Sequence, residues 1–167
     1  IYSLCIGGLN MPSVESFELD DDAVEAPYVR HCGQHEGDIN KYDVRITQPN
    51  EEFMDPAEIH TLEHLLAFGV RDQVEQLGYD IEIIDISPMG CQTGFYLIVK
   101  GTPTIEETID VVVAAMQSAI DAKEIPATTR KECGQYTLHS FEGAKNRARQ
   151  FNSASKDELK RVFKQTV

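Results

Sequence analysis

The sequence predicts an α+β fold: a single-domain α/β sandwich in which an antiparallel sheet packs against helices. Three observations lead there. Runs that alternate at a two-residue period, such as "DINKYDVRITQP", are interleaved with helix-period runs in no regular βαβ order. Two strand-like runs, "YDIEIIDIS" and "FYLIVK", flank the short Gly-rich connection "PMGCQTG", which suits a hairpin rather than a crossover. A chain of 167 residues, 41% hydrophobic, supplies one sizeable core and not two.

Taken in order, residues 1–10, "IYSLCIGGLN", carry no clear pattern and are read as an extension of uncertain origin. Residues 11–167 are read as a single domain. From "SVESFELD" to "YVRHCG" the chain is extended and turn-rich. A strand follows in "DINKYDVRITQP", with Ile39, Tyr42, Val44 and Ile46 turned inward, and Pro49-Asn50 ends it.

A helix then spans about 56 to 77. Asp55 caps it, Pro56 takes the first position, where no amide hydrogen is needed, and Glu58 completes a capping box. Gly78 is the stop. After the hairpin, Thr104 and Glu107 open a long amphipathic helix whose apolar positions are Ile105, Ile109, Val112, Val113, Met116 and Ile120. A polar helix runs from about Ser140 to Phe151, and Ser155 with Glu158 starts a short last one.

Charge narrows the function. Twenty-eight acidic residues against 15 basic give −13 with no basic cluster, so the surface repels phosphate backbones and anionic membranes. No nucleic-acid or membrane partner is expected. No apolar run approaches the ~20 residues that span a bilayer, and the opening lacks the basic start of a secretory signal. A cytoplasmic location is the expectation. There Cys5, Cys32, Cys91 and Cys133 serve as buried thiols, ligands or catalysts rather than as a disulfide framework.

The chemistry concentrates in "HTLEHLL". His60 and His64, at i and i+4, share one helix face and can converge on one ion, while Glu63 sits at its edge, able to reach a bound molecule without ligating. Two ligand sets remain open. In the inverted zinc-peptidase pattern, HxxEH, Glu63 activates a water and a downstream glutamate such as Glu142 is the third ligand. Alternatively Cys133, before a glycine in "KECGQ", completes a His2Cys site with an open position for catalysis. Cys91, flanked by Gly90 and close to Gly94, stands at a turn where a backbone can approach a substrate.

Five strings, "MPSVESFELD", "APYVRHCG", "IHTLEHLLAF", "IIDISPMGCQTGFYL" and "KECGQYTLHSFEGA", together resemble S-ribosylhomocysteine lyase, the LuxS family of autoinducer-2 synthases. The likeness runs from Met11 to about Phe163. It implies that His60, His64 and Cys133 bind one divalent metal per subunit, Fe2+ with Zn2+ or Co2+ able to substitute, and that Cys91 and Glu63 transfer protons. It assigns Ser16, Arg45 and Asp85 to the substrate and implies a homodimer with active sites at the interface. One position departs: where the family commonly has a histidine after "FELD", this chain has Asp21, an anionic acceptor in place of a donor, which changes any substrate contact there.

The implied reaction cleaves S-ribosylhomocysteine to homocysteine and 4,5-dihydroxy-2,3-pentanedione, the precursor of autoinducer-2, within the activated methyl cycle. The carbonyl moves from C1 to C3 through enediolates before β-elimination. Such shifts call for a Lewis acid and for groups that both take and give protons. A cysteine, with an ordinary pKa of ~8.5, fills the second role once a cation or backbone dipoles lower it.

Overall fold

The computed structural model describes residues 5–6, 9–10 and 13–165. The expected extension at 1–10 therefore falls largely outside the described residues. Within that stretch only β1 (Cys5–Ile6) and β2 (Leu9–Asn10) are described, paired antiparallel.

The architecture is the expected one. A four-stranded antiparallel sheet, order β3-β4-β6-β5, is built from β3 (Tyr28–Gln34), β4 (Ile39–Arg45), β5 (Glu82–Pro88) and β6 (Gly94–Lys100). Three main helices accompany it: α1 (Pro56–Leu77), α2 (Ile105–Asp121) and α3 (Phe141–Asn152), followed by the short α4 (Lys156–Lys160). A 3-10 turn at Glu15–Phe17 precedes the sheet.

Strand alternation sorts the two faces of the sheet. Tyr42 and Val44 of β4 and Phe95, Leu97 and Val99 of β6 join Leu62, Leu66 and Val70 of α1 and Ile109, Val112 and Met116 of α2 in one core. Removing that apolar surface from water supplies the main drive to fold. The intervening β4 residues, Asp43 and Arg45, face the other side and are nevertheless buried.

The helix signals act as expected. The Asp55 amide donates to Glu58 Oε2 at 3.1 Å, and Gly78 closes α1 with φ 71°, its amide reaching the Val74 and Glu75 carbonyls. Glu58 also accepts from Arg147 Nε at 2.8 Å, tying the start of α1 to α3. α2 opens on the Thr104–Glu107 capping box. The turn-rich reading of the first third is incomplete: residues 28–34 form a strand. Its pattern was hard to see because the register slips between His31 and Gly33, which breaks the alternation.

Candidate metal centre and thiol cavity

α1 presents His60 and His64 from successive turns, with Glu63 half-buried between them. Each ring is held from behind. His60 Nδ1 lies 2.7 Å from the Leu138 carbonyl and His64 Nδ1 2.9 Å from the Pro126 carbonyl. A carbonyl only accepts, so each Nδ1 carries the proton and each Nε2 is left with a free lone pair. This is the arrangement that orients a metal-binding imidazole.

The loop after α2 brings up the third donor. Cys133, buried, has its amide bonded to the Thr129 carbonyl at 3.0 Å, and its Sγ lies 3.3 Å from His60 Nε2. The rings of His60 and His64 meet at 85° with centroids 4.8 Å apart. His139 is a fourth member that the sequence reading did not single out: the donor atoms of His60, His64, Cys133 and His139 all lie within 4.8 Å of one another and could hold a metal ion. Two neutral imidazoles and a thiolate suit a divalent ion of the iron, cobalt or zinc kind. Glu142, the third ligand of the peptidase alternative, is exposed in the first turn of α3 and outside this group.

Burial, with the neighbouring His60 and His64, pulls the His139 ring below the ordinary histidine range. The only early sign of this residue was its place six positions after Cys133, just before the Ser140 cap of α3.

Cys91 sits elsewhere, in the turn from β5 to β6, where Gln92 takes a left-handed φ of 62°. The turn is pinned at 2.9 Å by the Met89 amide on Gly94 O and by the Met54 amide on Gln92 O. At Gly94 the backbone of β4 comes so close that a Cβ would fall 2.9 Å from Arg45 Cα, so only glycine fits. The exposed Cys91 thiol borders a cavity of about 300 Å³ together with Asp21, Arg45, Phe53 and Thr93.

The cavity wall is wired through Arg45. Its Nε and one terminal nitrogen hold both oxygens of Asp43, at 3.1 and 2.8 Å. Burial opposes the Arg45 charge, and the Asp43 carboxylate more than restores it, so its pKa lies above even the usual arginine value. Tyr28 Oη donates to the same carboxylate at 3.2 Å; burial, with Asp43 beside it, pushes that phenol far above its ordinary range. The remaining Arg45 nitrogen reaches Asp21 Oδ1 at 3.3 Å and Thr93 Oγ1 at 3.2 Å. Thr93 accepts there, and the same hydroxyl lies 3.0 Å from Cys91 Sγ, a contact in which either group can donate. Thr93 was not foreseen either, since nothing in "CQTG" distinguishes a relay from a turn threonine.

The other expected residues lie on the same outer face of the sheet. Ser16, in the 3-10 turn, lies near Tyr96, which pairs across the sheet with Asp43. Asp85, exposed on β5 and bonded to Ser87, pairs with Ile98. Ser16, Asp21, Arg45, Asp85 and Cys91 thus belong to the outer face and its rim, while His60, Glu63 and His64 ride on the helical layer. Cys133 lines a second cavity, with Arg130, Gly134 and Tyr136, that shares no lining residue with the first. Among the described residues no helix is long and apolar enough to cross a membrane.

Among known families, the model of S-ribosylhomocysteinase (LuxS) matches the chain over residues 14–162.

Proposed function

Since the chain belongs to the S-ribosylhomocysteinase (LuxS) family, a family of carbon–sulfur lyases, we propose that it cleaves S-ribosylhomocysteine to homocysteine and 4,5-dihydroxy-2,3-pentanedione. That product is the precursor of autoinducer-2, and the reaction serves the activated methyl cycle in the cytoplasm. The observation that carries the reading is the convergence of His60, His64 and Cys133, from a helix and a distant loop, with oxygen-anchored imidazoles behind them.

These three residues would hold the metal, Fe2+ in the cell with Zn2+ or Co2+ able to replace it. When bound, the ion supplies a Lewis acid that draws negative charge off the sugar's oxygens. Cys91, as thiolate with the Thr93 hydroxyl donating to it, takes a proton from one sugar carbon and returns it to the next. Glu63 moves the matching proton between the adjoining oxygens. Two such shifts carry the carbonyl from C1 to C3. Loss of the C4 proton then sends the C–H pair into a C4–C5 double bond while the C5–S pair leaves on sulfur, which is protonated to homocysteine; the enol left at C4 takes a proton at C5 and gives up its hydroxyl proton to become the diketone. Ser16, Arg45 and Asp85 hold the substrate's polar groups, and Asp21 alters the contact at its own position.

The active form is a homodimer with its sites at the interface. Two features support this. Cys91 and Cys133 line separate cavities of one chain, so a neighbour offers the missing half. Large apolar side chains also stand exposed beside each half: Phe53, 64% exposed, borders the thiol cavity, and Leu138, whose carbonyl anchors His60, is 41% exposed.

The test is release of free thiol from S-ribosylhomocysteine by metal-replete protein, run anaerobically with Fe2+ or Co2+ and followed with a thiol reagent. Thiol at the background rate would reject the assignment.

A further inference from the structure

His139 is the one member of the four-donor group whose part is not fixed by the reading above. Its protonation pattern follows from its neighbours. Thr61 Oγ1 donates to the Ala57 carbonyl at 2.8 Å, which commits its only proton. The same oxygen receives the Ser140 amide at 2.9 Å, and His139 Nδ1 lies 3.0 Å away. Thr61 can therefore only accept from His139, so Nδ1 carries the hydrogen and Nε2 keeps a lone pair. That Nε2 is buried and has no hydrogen-bond partner. A buried acceptor left unmatched is costly unless something present in the working protein fills it.

The obvious filler is the ion itself, and the ring geometry argues against it. His139 stacks on His60, with centroids 4.3 Å apart and planes inclined by 21°. An imidazole binds a metal along a lone pair in its ring plane, and planes so nearly parallel meet far beyond the ~2.1 Å reach of a nitrogen-to-metal bond. His60 and His139 cannot both serve one ion. The lyase reading takes His60 as the ligand, and the 3.3 Å approach of Cys133 Sγ to His60 Nε2 agrees with it. His139 then stands beside the ligands, a ring nitrogen within 4.8 Å of their donor atoms.

We propose that His139 is a substrate-orienting residue, whose Nε2 accepts a hydrogen bond from a sugar hydroxyl entering the open side of the His60–His64–Cys133 group. This assignment rests on the lyase reading and adds a contact to it. It also gives the Thr61 hydroxyl a purpose, since the contact depends on Thr61 holding the ring in the tautomer that accepts.

The experiment uses cobalt-loaded protein as wild type, His139→Ala and His139→Gln, each also carrying Cys91→Ala to stop turnover. Three quantities are read: cobalt per chain, visible absorption without substrate, and the Kd of S-ribosylhomocysteine from the absorption change on titration. Cobalt content and ligand-free absorption should be retained in both variants. Kd should rise about tenfold in His139→Ala and recover partly in His139→Gln, whose amide oxygen can accept. Loss of cobalt from His139→Ala would make the residue a ligand and overturn the proposal, and so would an unchanged Kd. If the protein with His139 intact holds cobalt but shows no response to S-ribosylhomocysteine, the lyase reading itself falls, and this assignment with it.

Discussion

The guanidinium of Arg45 stands 3.3 Å from the carboxylate of Asp21, the first 5% exposed in its side chain and the second 47%. Asp43 is shared between Arg45 and Arg30, and Asp21 supplies the second carboxylate on Arg45, at the mouth of the cavity. A substrate carboxylate seeking Arg45 would meet it there. A partly exposed pair of this kind is worth up to about 1 kcal/mol, which converts to about fivefold in binding. Asp21→His should therefore lower KM for S-ribosylhomocysteine by up to about fivefold with kcat little changed. Identical steady-state constants in the two proteins would show that Asp21 does not compete with substrate.

Cys91→Ala should abolish thiol release, by at least about 100-fold, the usual contribution of a positioned proton-transfer group, while metal content stays normal. Thr93→Val keeps the thiol and deletes the hydroxyl 3.0 Å from it, which would donate to the thiolate. Its kcat should fall about tenfold, matching one hydrogen bond to a charged group, with a smaller effect on KM. Full activity in Cys91→Ala would remove the proton-transfer role altogether.

Cys133→Ala should lose the metal. Loss of an outer-shell partner alone costs 10–100-fold in affinity as a rule, so deletion of a direct donor should weaken binding by more than about 100-fold in competition with a chelator. Glu142→Ala should leave metal binding intact. The reverse result for these two variants would restore the peptidase-type ligand set.

Cys32 and Cys91 should differ in reactivity. Burial pushes the Cys32 thiol up to about 11, so at pH 8 about one thousandth of it is thiolate, the form that attacks an alkylating agent. Cys91 is exposed. Iodoacetamide at pH 8 should modify Cys91 well before Cys32, and Cys32 labelling should accelerate as pH rises towards 11. Peptide mapping that found Cys32 modified first would contradict the packing around it.

Much of this was legible beforehand because local chemistry dictated it. Asp55, Pro56, Glu58 and Gly78 set the ends of α1 without help from the rest of the chain, and the spacing of His60 and His64 put both on one face. β3 was not legible as a strand, since a register slip hides its period. His139 and Thr93 were invisible for a different reason. Each matters through a partner far along the chain, Thr61 for one and Arg45 for the other, and only the fold supplies those pairs. The burial of Arg45 opposite the core face was equally unreadable, because alternation alone predicts an outward charge there.

α1 carries His60, Glu63 and His64 on one rigid rod, and the side of that rod bearing Leu62, Leu66 and Val70 is sunk in the core. A cavity or an oversized side chain anywhere along that seam would turn or slide the rod as a unit. The two imidazoles would keep their mutual angle, while their registration against the sulfur contributed by the distant loop would drift. Remote core damage should then surface as leakage of the ion before any loss of helical signal, which makes ion retention a more sensitive gauge of packing here than the melting curve.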